Sequence, residues 1–203
     1  MDDKRYLCPL FKRYLDKDDM NKAIFLDRDG TINVEKHYLY KEEDFEFLPG
    51  VVETLADFKK NGYLLILVTN QSGIARGYYR EEDMHRLHAF MQSKLDEKGA
   101  KLDAIYFCPH HPQAAVGAYR INCNCRKPLG GLFDRAIEEW KIDVTASWAI
   151  GDKERDLRYP HQSGMKTILL QQEECESEYP VCKNWDEIRR KILPPTTQQK
   201  GRI

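Results

Sequence analysis

No stretch of this sequence approaches the ~20 consecutive apolar residues that a bilayer-spanning helix needs. The first 22 residues, MDDKRYLCPLFKRYLDKDDMNK, are charged throughout and lack the apolar centre of a secretion signal. An excess of one charge is missing too. The net charge is −1 and the pI about 6.6, which argues against nucleic acid or an anionic membrane as a partner. A disulfide framework is also absent. Of six cysteines, Cys8, Cys175 and Cys182 are scattered, whereas the other three cluster with a histidine. These absences predict a cytoplasmic protein with reduced thiols; a monomer acting on a small molecule is expected. Its 203 residues suffice for one domain with a sizeable core.

Apolar runs at 23–27, 63–68, 102–107, 147–150 and 166–170 read as buried parallel strands. Helical patterns lie at 51–60, 81–97, 132–140, 155–162 and 185–192. This alternation predicts an α/β fold, a parallel sheet flanked by helices with right-handed crossovers. Ligands of such sheets bind beyond the carboxyl ends of the strands. The expected division is an N-terminal extension over 1–22, a catalytic domain over 23–192 and a polar tail over 193–203. Within the extension Lys-Arg-Tyr-Leu occurs at 4–7 and again at 12–15.

Asp27-Arg28-Asp29-Gly30-Thr31 closes the first apolar run. Side chains two apart on an extended chain face the same way, so Asp27 and Asp29 can enter one pocket. Adjacent carboxylates repel and invite a cation; a hard cation such as Mg²⁺ prefers oxygen ligands. Asp152 closes the fourth strand and is expected to complete a Mg²⁺ site with Asp27 and Asp29, with Asp156 supporting it one turn later. Asp27 is the expected nucleophile toward phosphorus and Asp29 the proton donor, and then the base that activates water. Thr69 and Lys127 are expected to meet the charge that develops on the phosphoryl oxygens.

Cys108, His110 or its neighbour His111, then Cys123 and Cys125, form a four-ligand set suited to a closed tetrahedral zinc site. Four protein ligands leave no open position, which makes the Zn²⁺ structural. Its expected task is to fix the loop that presents Arg126 and Lys127. His85 and His88, in a charge-rich helix, are assigned to a solvated face, and Arg76 to Tyr79 lie within reach of a sugar.

The order Asp27-X-Asp29-Gly30-Thr31, Thr69, Lys127 and Gly151-Asp152-X3-Asp156 resembles the haloacid dehalogenase-like phosphatase superfamily. Residues 23 to 170 are more specifically similar to its heptose 1,7-bisphosphate 7-phosphatases, through FLDRDGTIN, VTNQSGIARG, CPHHPQ, CRKP and Gly151-Asp152-Lys153. The resemblance implies a capless Rossmann-like sheet, an aspartyl-phosphate intermediate and Mg²⁺, with His110 rather than His111 on the zinc. It also implies substrate contacts from Glu35, Lys36, His37 and Tyr38, from Thr69, Asn70, Gln71 and Ser72, and from Arg126, Lys127 and Lys153. The stretch Glu35-Lys36-His37 departs from the family pattern.

Three functions are therefore expected. The first is a sugar phosphatase removing the 7-phosphate of a heptose 1,7-bisphosphate, in the pathway that supplies nucleotide-activated heptose. The second is a histidinol-phosphate phosphatase, against which the long segment between the zinc ligand pairs weighs. The third is a non-catalytic zinc-binding interaction module.

Overall fold

Lys22–Leu26 forms the first strand, β1, and four of its five residues are buried. The structure, a computed structural model, describes residues 20–113, 117–173 and 175–193. The repeat at 4–7 and 12–15 and the chain from residue 194 onward lie outside the described residues.

After β1 come α1 (Val51–Lys60), β2 (Tyr63–Asn70), α2 (Ser72–Ala75), α3 (Glu81–Asp96), β3 (Ala104–Cys108) and α4 (Gly131–Glu139). Then follow β4 (Trp148–Gly151), α5 (Glu154–Gln162), β5 (Lys166–Leu170), β6 (Val181–Cys182) and α6 (Trp185–Ile192). All the pairings within the sheet are parallel, in the order β3-β2-β1-β4-β5-β6. Alternation along β1 divides the core. Ile24 and Leu26 pack with Leu55, Phe58, Met91, Trp185 and Ile188 on one face. Ala23 and Phe25 pack with Phe133, Ala136 and Leu157 on the other. Helices α1, α3 and α6 thus cover one face, and α4 and α5 the opposite one. Both faces are dry, which is why the strands read as continuous apolar runs.

The five expected strands and five expected helices are present within a few residues of their expected limits. The single turn α2 and the two-residue β6 are additional. Neither is long enough to carry a periodic signal. The topology also fixes where a ligand enters. From β1 the chain moves outward through β2 and β3, then returns to place β4 on the other side of β1. Connections leaving β1 and β4 diverge, and the crevice at such a switch point is the standard ligand site of an open α/β sheet.

Among the described residues no helix is long and apolar enough to cross a membrane.

Candidate active site

Asp27 sits at the carboxyl end of β1, and its backbone N–H donates to the Ile150 carbonyl of β4 at 3.2 Å. Beyond it the chain turns sharply, with the Arg28 carbonyl accepting from the N–H groups of Thr31, Ile32 and Asn33. Gly30 makes the turn possible. Its φ is +75°, and a Cβ there would lie 2.5 Å from Asp152 Oδ2. Gly151 is equally constrained, because a Cβ would meet the Asp156 Cβ at 2.5 Å. The two glycines let the ends of β1 and β4 approach closely enough to share one group of carboxylates.

Asp27, Asp152 and Asp156 are all buried, and each offers a carboxylate oxygen within 4.8 Å of the others'. Lys127, 2 % exposed, reaches them from the opposite side. Its Nζ lies 2.9 Å from Asp27 Oδ1 and 2.8 Å from Asp156 Oδ1, and donates to the Val68 carbonyl at 2.8 Å. Neither of those two carboxylate oxygens receives a well-directed hydrogen bond. They are held to Lys127 chiefly by charge. Burial disfavours the Lys127 ammonium, but Asp156 and Asp27 more than offset this and hold its pKa above the ordinary value. Burial, then the charges of Asp27 and Asp156, push Asp152 up to about 6, against the pull of Lys153 3.0 Å away. Burial also raises Asp156 despite Lys127, and Asp27 adds to the rise. Three buried carboxylates facing one buried ammonium leave a surplus of negative charge that suits a divalent, oxygen-preferring ion.

Asp29 was expected beside Asp27 on that ion, but its side chain lies outside the gathered group. Its carboxylate accepts from Arg28 Nε at 3.1 Å and from Arg28 Nη2 at 2.9 and 3.0 Å. Asn33 Nδ2 adds a bond at 3.1 Å and Gln71 Nε2 one at 3.3 Å. The cause is the tight turn after Asp27, which takes residue 29 out of the extended geometry that would align it with residue 27.

A cavity of about 270 Å³ opens over Asp27 and Asp29. Of the expected substrate contacts, Glu35, His37, Tyr38, Asn70, Gln71, Ser72 and Arg126 line it. Lys36 does not; it pairs with Glu46 at 3.3 Å on the surface. Lys153 lines an adjoining cavity of about 450 Å³ shared with Gly30, Asp152 and Trp185. Thr69 is buried at the end of β2, where its hydroxyl accepts from Gln71 Nε2 at 3.0 Å. His37 and Tyr38 hold φ values of 47° and 63°, a left-handed conformation uncommon for such residues and recurrent at ligand sites. Arg155, Arg76 and Tyr79 also line the cavity. The first was not expected there, and Tyr79 is bonded through its hydroxyl to Gln71 Oε1 at 2.6 Å.

His88 is a correction. It is 3 % exposed rather than solvated, and its Nε2 lies 3.2 Å from Arg28 Nη1. The spacing Met84, Leu87, His88, Met91, Leu95 places it on the buried stripe of α3, a signal available in the sequence but masked by the surrounding charges.

Beyond β3, Cys108, His110, Cys123 and Cys125 form a second group able to hold a metal. Cys108 Sγ lies 3.2 Å from Cys125 Sγ and 3.6 Å from Cys123 Sγ. His110 Nδ1 lies 3.3 Å from Cys125 Sγ and 3.8 Å from Cys108 Sγ. The sulfur separations exceed the ~2.05 Å of a disulfide, and these cysteines are free, as are Cys175 and Cys182. His111 points elsewhere, with Nε2 3.2 Å from Arg76 Nη2. Two clamps carry this loop to the carboxylates. Arg126 Nη1 donates to the His110 carbonyl at 3.2 Å. The Asn70 side chain bonds both the N–H and the carbonyl of Lys127, at 3.0 and 3.1 Å.

Comparison with known proteins gives the class first: residues 124–181 match the HAD-hydrolase-like family model. The chain is 50% identical over 139 residues to the D-glycero-beta-D-manno-heptose-1,7-bisphosphate 7-phosphatase of Haemophilus influenzae, covering 68% of this chain and 75% of that one. Among solved structures it is similar to the D,D-heptose 1,7-bisphosphate phosphatase of B. bronchiseptica complexed with magnesium and phosphate. That match has a TM-score of 0.74 and 30% identity, over 85% of this chain and 98% of that one. A putative HAD-like phosphatase from Mesorhizobium loti matches with a TM-score of 0.78 and 29% identity, over 85% of each chain. The chain therefore belongs to the D-glycero-beta-D-manno-heptose-1,7-bisphosphate 7-phosphatase family of HAD-like hydrolases.

Proposed function

We propose that the protein is a Mg²⁺-dependent phosphatase that removes the 7-phosphate of D-glycero-D-manno-heptose 1,7-bisphosphate and leaves the 1-phosphate in place. The observation that carries this reading is the gathering of Asp27, Asp152 and Asp156 around Lys127 at the β1–β4 crevice, in a chain of this family.

Asp27 attacks phosphorus, the bond from phosphorus to the 7-oxygen breaks, and an aspartyl-phosphate forms. Asp29 delivers a proton to the departing alkoxide, then takes one from the water that hydrolyses the intermediate and regenerates Asp27. Thr69 and Lys127 face the phosphoryl oxygens, where charge builds. Asp27, Asp152 and Asp156 hold Mg²⁺, which when bound neutralises charge on nucleophile and phosphate. The Asp29 carboxylate is left for proton transfer. Glu35, His37, Tyr38, Asn70, Gln71, Ser72 and Arg126 contact the sugar and its second phosphate, while Lys153 helps compose the metal side of the site.

Cys108, His110, Cys123 and Cys125 hold a structural Zn²⁺. Their spacings of 3.2, 3.3, 3.6 and 3.8 Å support this. They approximate the ~3.7 Å edge of a tetrahedron built on Zn–S bonds of ~2.3 Å. The domain of 23–192 acts in the cytoplasm as a monomer on a small sugar phosphate in nucleotide-activated heptose synthesis. A net charge of −1 supports the absence of nucleic-acid and membrane partners.

Phosphate release from the heptose bisphosphate, followed with and without Mg²⁺ for wild type and Asp27→Asn, tests the reading. Activity is expected only for wild type with Mg²⁺. Equal release by Asp27→Asn would refute the covalent route.

A further inference from the structure

Arg28 is wholly buried, yet it lies between two acidic residues of the site and has no assigned role. Its donors are spent in three directions. Nε and Nη2 grip both oxygens of Asp29 at 2.9 to 3.1 Å. Nη2 also donates to the Leu39 carbonyl at 2.9 Å, just beyond Glu35, His37 and Tyr38 on the cavity wall. Nη1 meets Nε2 of His88, 60 residues away on α3, at 3.2 Å.

Arg28 has no acceptor of its own, so His88 Nε2 must accept this bond, and the ring must be neutral with its proton on Nδ1. The surroundings enforce this, because burial, then Arg28 and His85, hold the His88 pKa well below its ordinary value. His88 Nδ1 is buried without a partner. An unsatisfied buried donor is costly, so a histidine here is a poor choice for stability alone. Its Nε2 is the part the fold uses.

We propose that Arg28, anchored by His88, is the positioning residue of the reaction, holding the Asp29 carboxylate and the 35–39 segment in one fixed relation over Asp27. The planar guanidinium can do this because it grips a carboxylate with two parallel bonds while its remaining nitrogen is fixed from behind. A lysine at this position would give one mobile charge. Asp29 then arrives at the leaving oxygen without reorganising, and the sugar contacts keep register with it. Displacement of an acid-base group by about 1 Å can cost ~10²-fold in rate.

This inference rests on the phosphatase reading, and the test separates the two. kcat/KM reports phosphoryl transfer to Asp27, in which Asp29 matters only when the leaving group needs a proton. The measurement is kcat/KM for 4-nitrophenyl, phenyl and alkyl phosphates with wild type, Arg28→Met, His88→Leu and His88→Gln. Wild type should release phosphate from heptose 1,7-bisphosphate and from all three esters, and failure on the bisphosphate would refute the phosphatase reading itself. Arg28→Met and His88→Leu should lose ~10²-fold on alkyl phosphate and little on 4-nitrophenyl phosphate, a steeper dependence on leaving-group acidity. His88→Gln, whose amide oxygen still accepts from Nη1, should recover most of the loss seen in His88→Leu. Equal losses on every ester, or none in the folded His88→Leu protein, would overturn the positioning role while leaving the phosphatase assignment intact. Matching losses in His88→Gln and His88→Leu would overturn the part given to Nε2.

Discussion

At the scale of single residues, protonation and metal binding compete for the same carboxylates. Asp152 is pushed up to about 6 by burial and by its acidic neighbours. The sign follows from linkage. The folded chain holds a proton there that the unfolded chain, with an ordinary aspartate, releases, so this stabilisation is present below about pH 4 and lost as pH rises through about 6. Mg²⁺ reverses the demand because it needs the ionised form. The rise in Tm produced by a fixed Mg²⁺ concentration should therefore be large at pH 7.5 and should shrink through pH 6 to pH 5. A Mg²⁺-dependent rise that is equal at pH 5 and pH 7.5 would contradict the assignment of Asp152 to the metal. Asp27, Thr69 and Asp152 were legible because each lies at the end of a strand, where topology alone brings it to the crevice, and Lys127 because it follows the cysteine-rich motif. The partners of Asp29 were not. Arg28 and His88 are 60 positions apart, and only the packing of α3 against the first loop joins them. Lys36 was misplaced for a related reason: within a loop, adjacent positions can face the cavity or the surface, and Glu46 holds this one outward.

At the scale of elements, the strands were legible because both faces of the sheet are covered. Single turns such as α2 and short edge pieces such as β6 offer no period to read. Two connections deserve tests of their own. The first is α6, whose Trp185 is buried and donates from Nε1 to the Thr31 carbonyl at 3.0 Å, tying the last helix to the motif loop. Trp185→Ala should cost ~3–5 kcal/mol by opening a cavity. Trp185→Phe should cost less, with much of its loss from the unmet carbonyl. Urea unfolding of both variants decides this: a negligible cost for Trp185→Phe would show that the hydrogen bond contributes little, and equal costs would show that the cavity does. The second connection is the cysteine-rich loop. Stripping the proposed Zn²⁺, or Cys123→Ser, should lower Tm and raise KM by releasing Arg126 from the His110 carbonyl. kcat should fall less, because Asn70 holds the backbone of Lys127 independently at two points. Elemental analysis should find about one zinc per folded chain. A zinc-free protein with unchanged Tm and KM would remove the structural role.

At the scale of the whole molecule, one doubly wound sheet brings together residues from the ends of β1, β2 and β4 and from the loop beyond β3. The chemistry is general to such sites, so selectivity must come from the cavity wall. A terminal phosphate on a primary carbon can reach Asp27 past Tyr38 and Arg126 more readily than one attached directly to the sugar ring. The 1-phosphate would then remain among the cations Arg76, Arg126 and Arg155 at the cavity rim. Gly30→Ala should lower activity sharply on every substrate. It forces an unfavourable φ and a contact with the Asp152 carboxylate, so Mg²⁺ titration should show weakened binding in a folded protein. The most direct test of the whole account is phosphorus NMR of the products from heptose 1,7-bisphosphate, run beside histidinol phosphate under the same conditions. The 7-phosphate signal should be lost, the 1-phosphate signal retained, and release from histidinol phosphate much slower. Retention of the 7-phosphate, or faster turnover of histidinol phosphate, would contradict it.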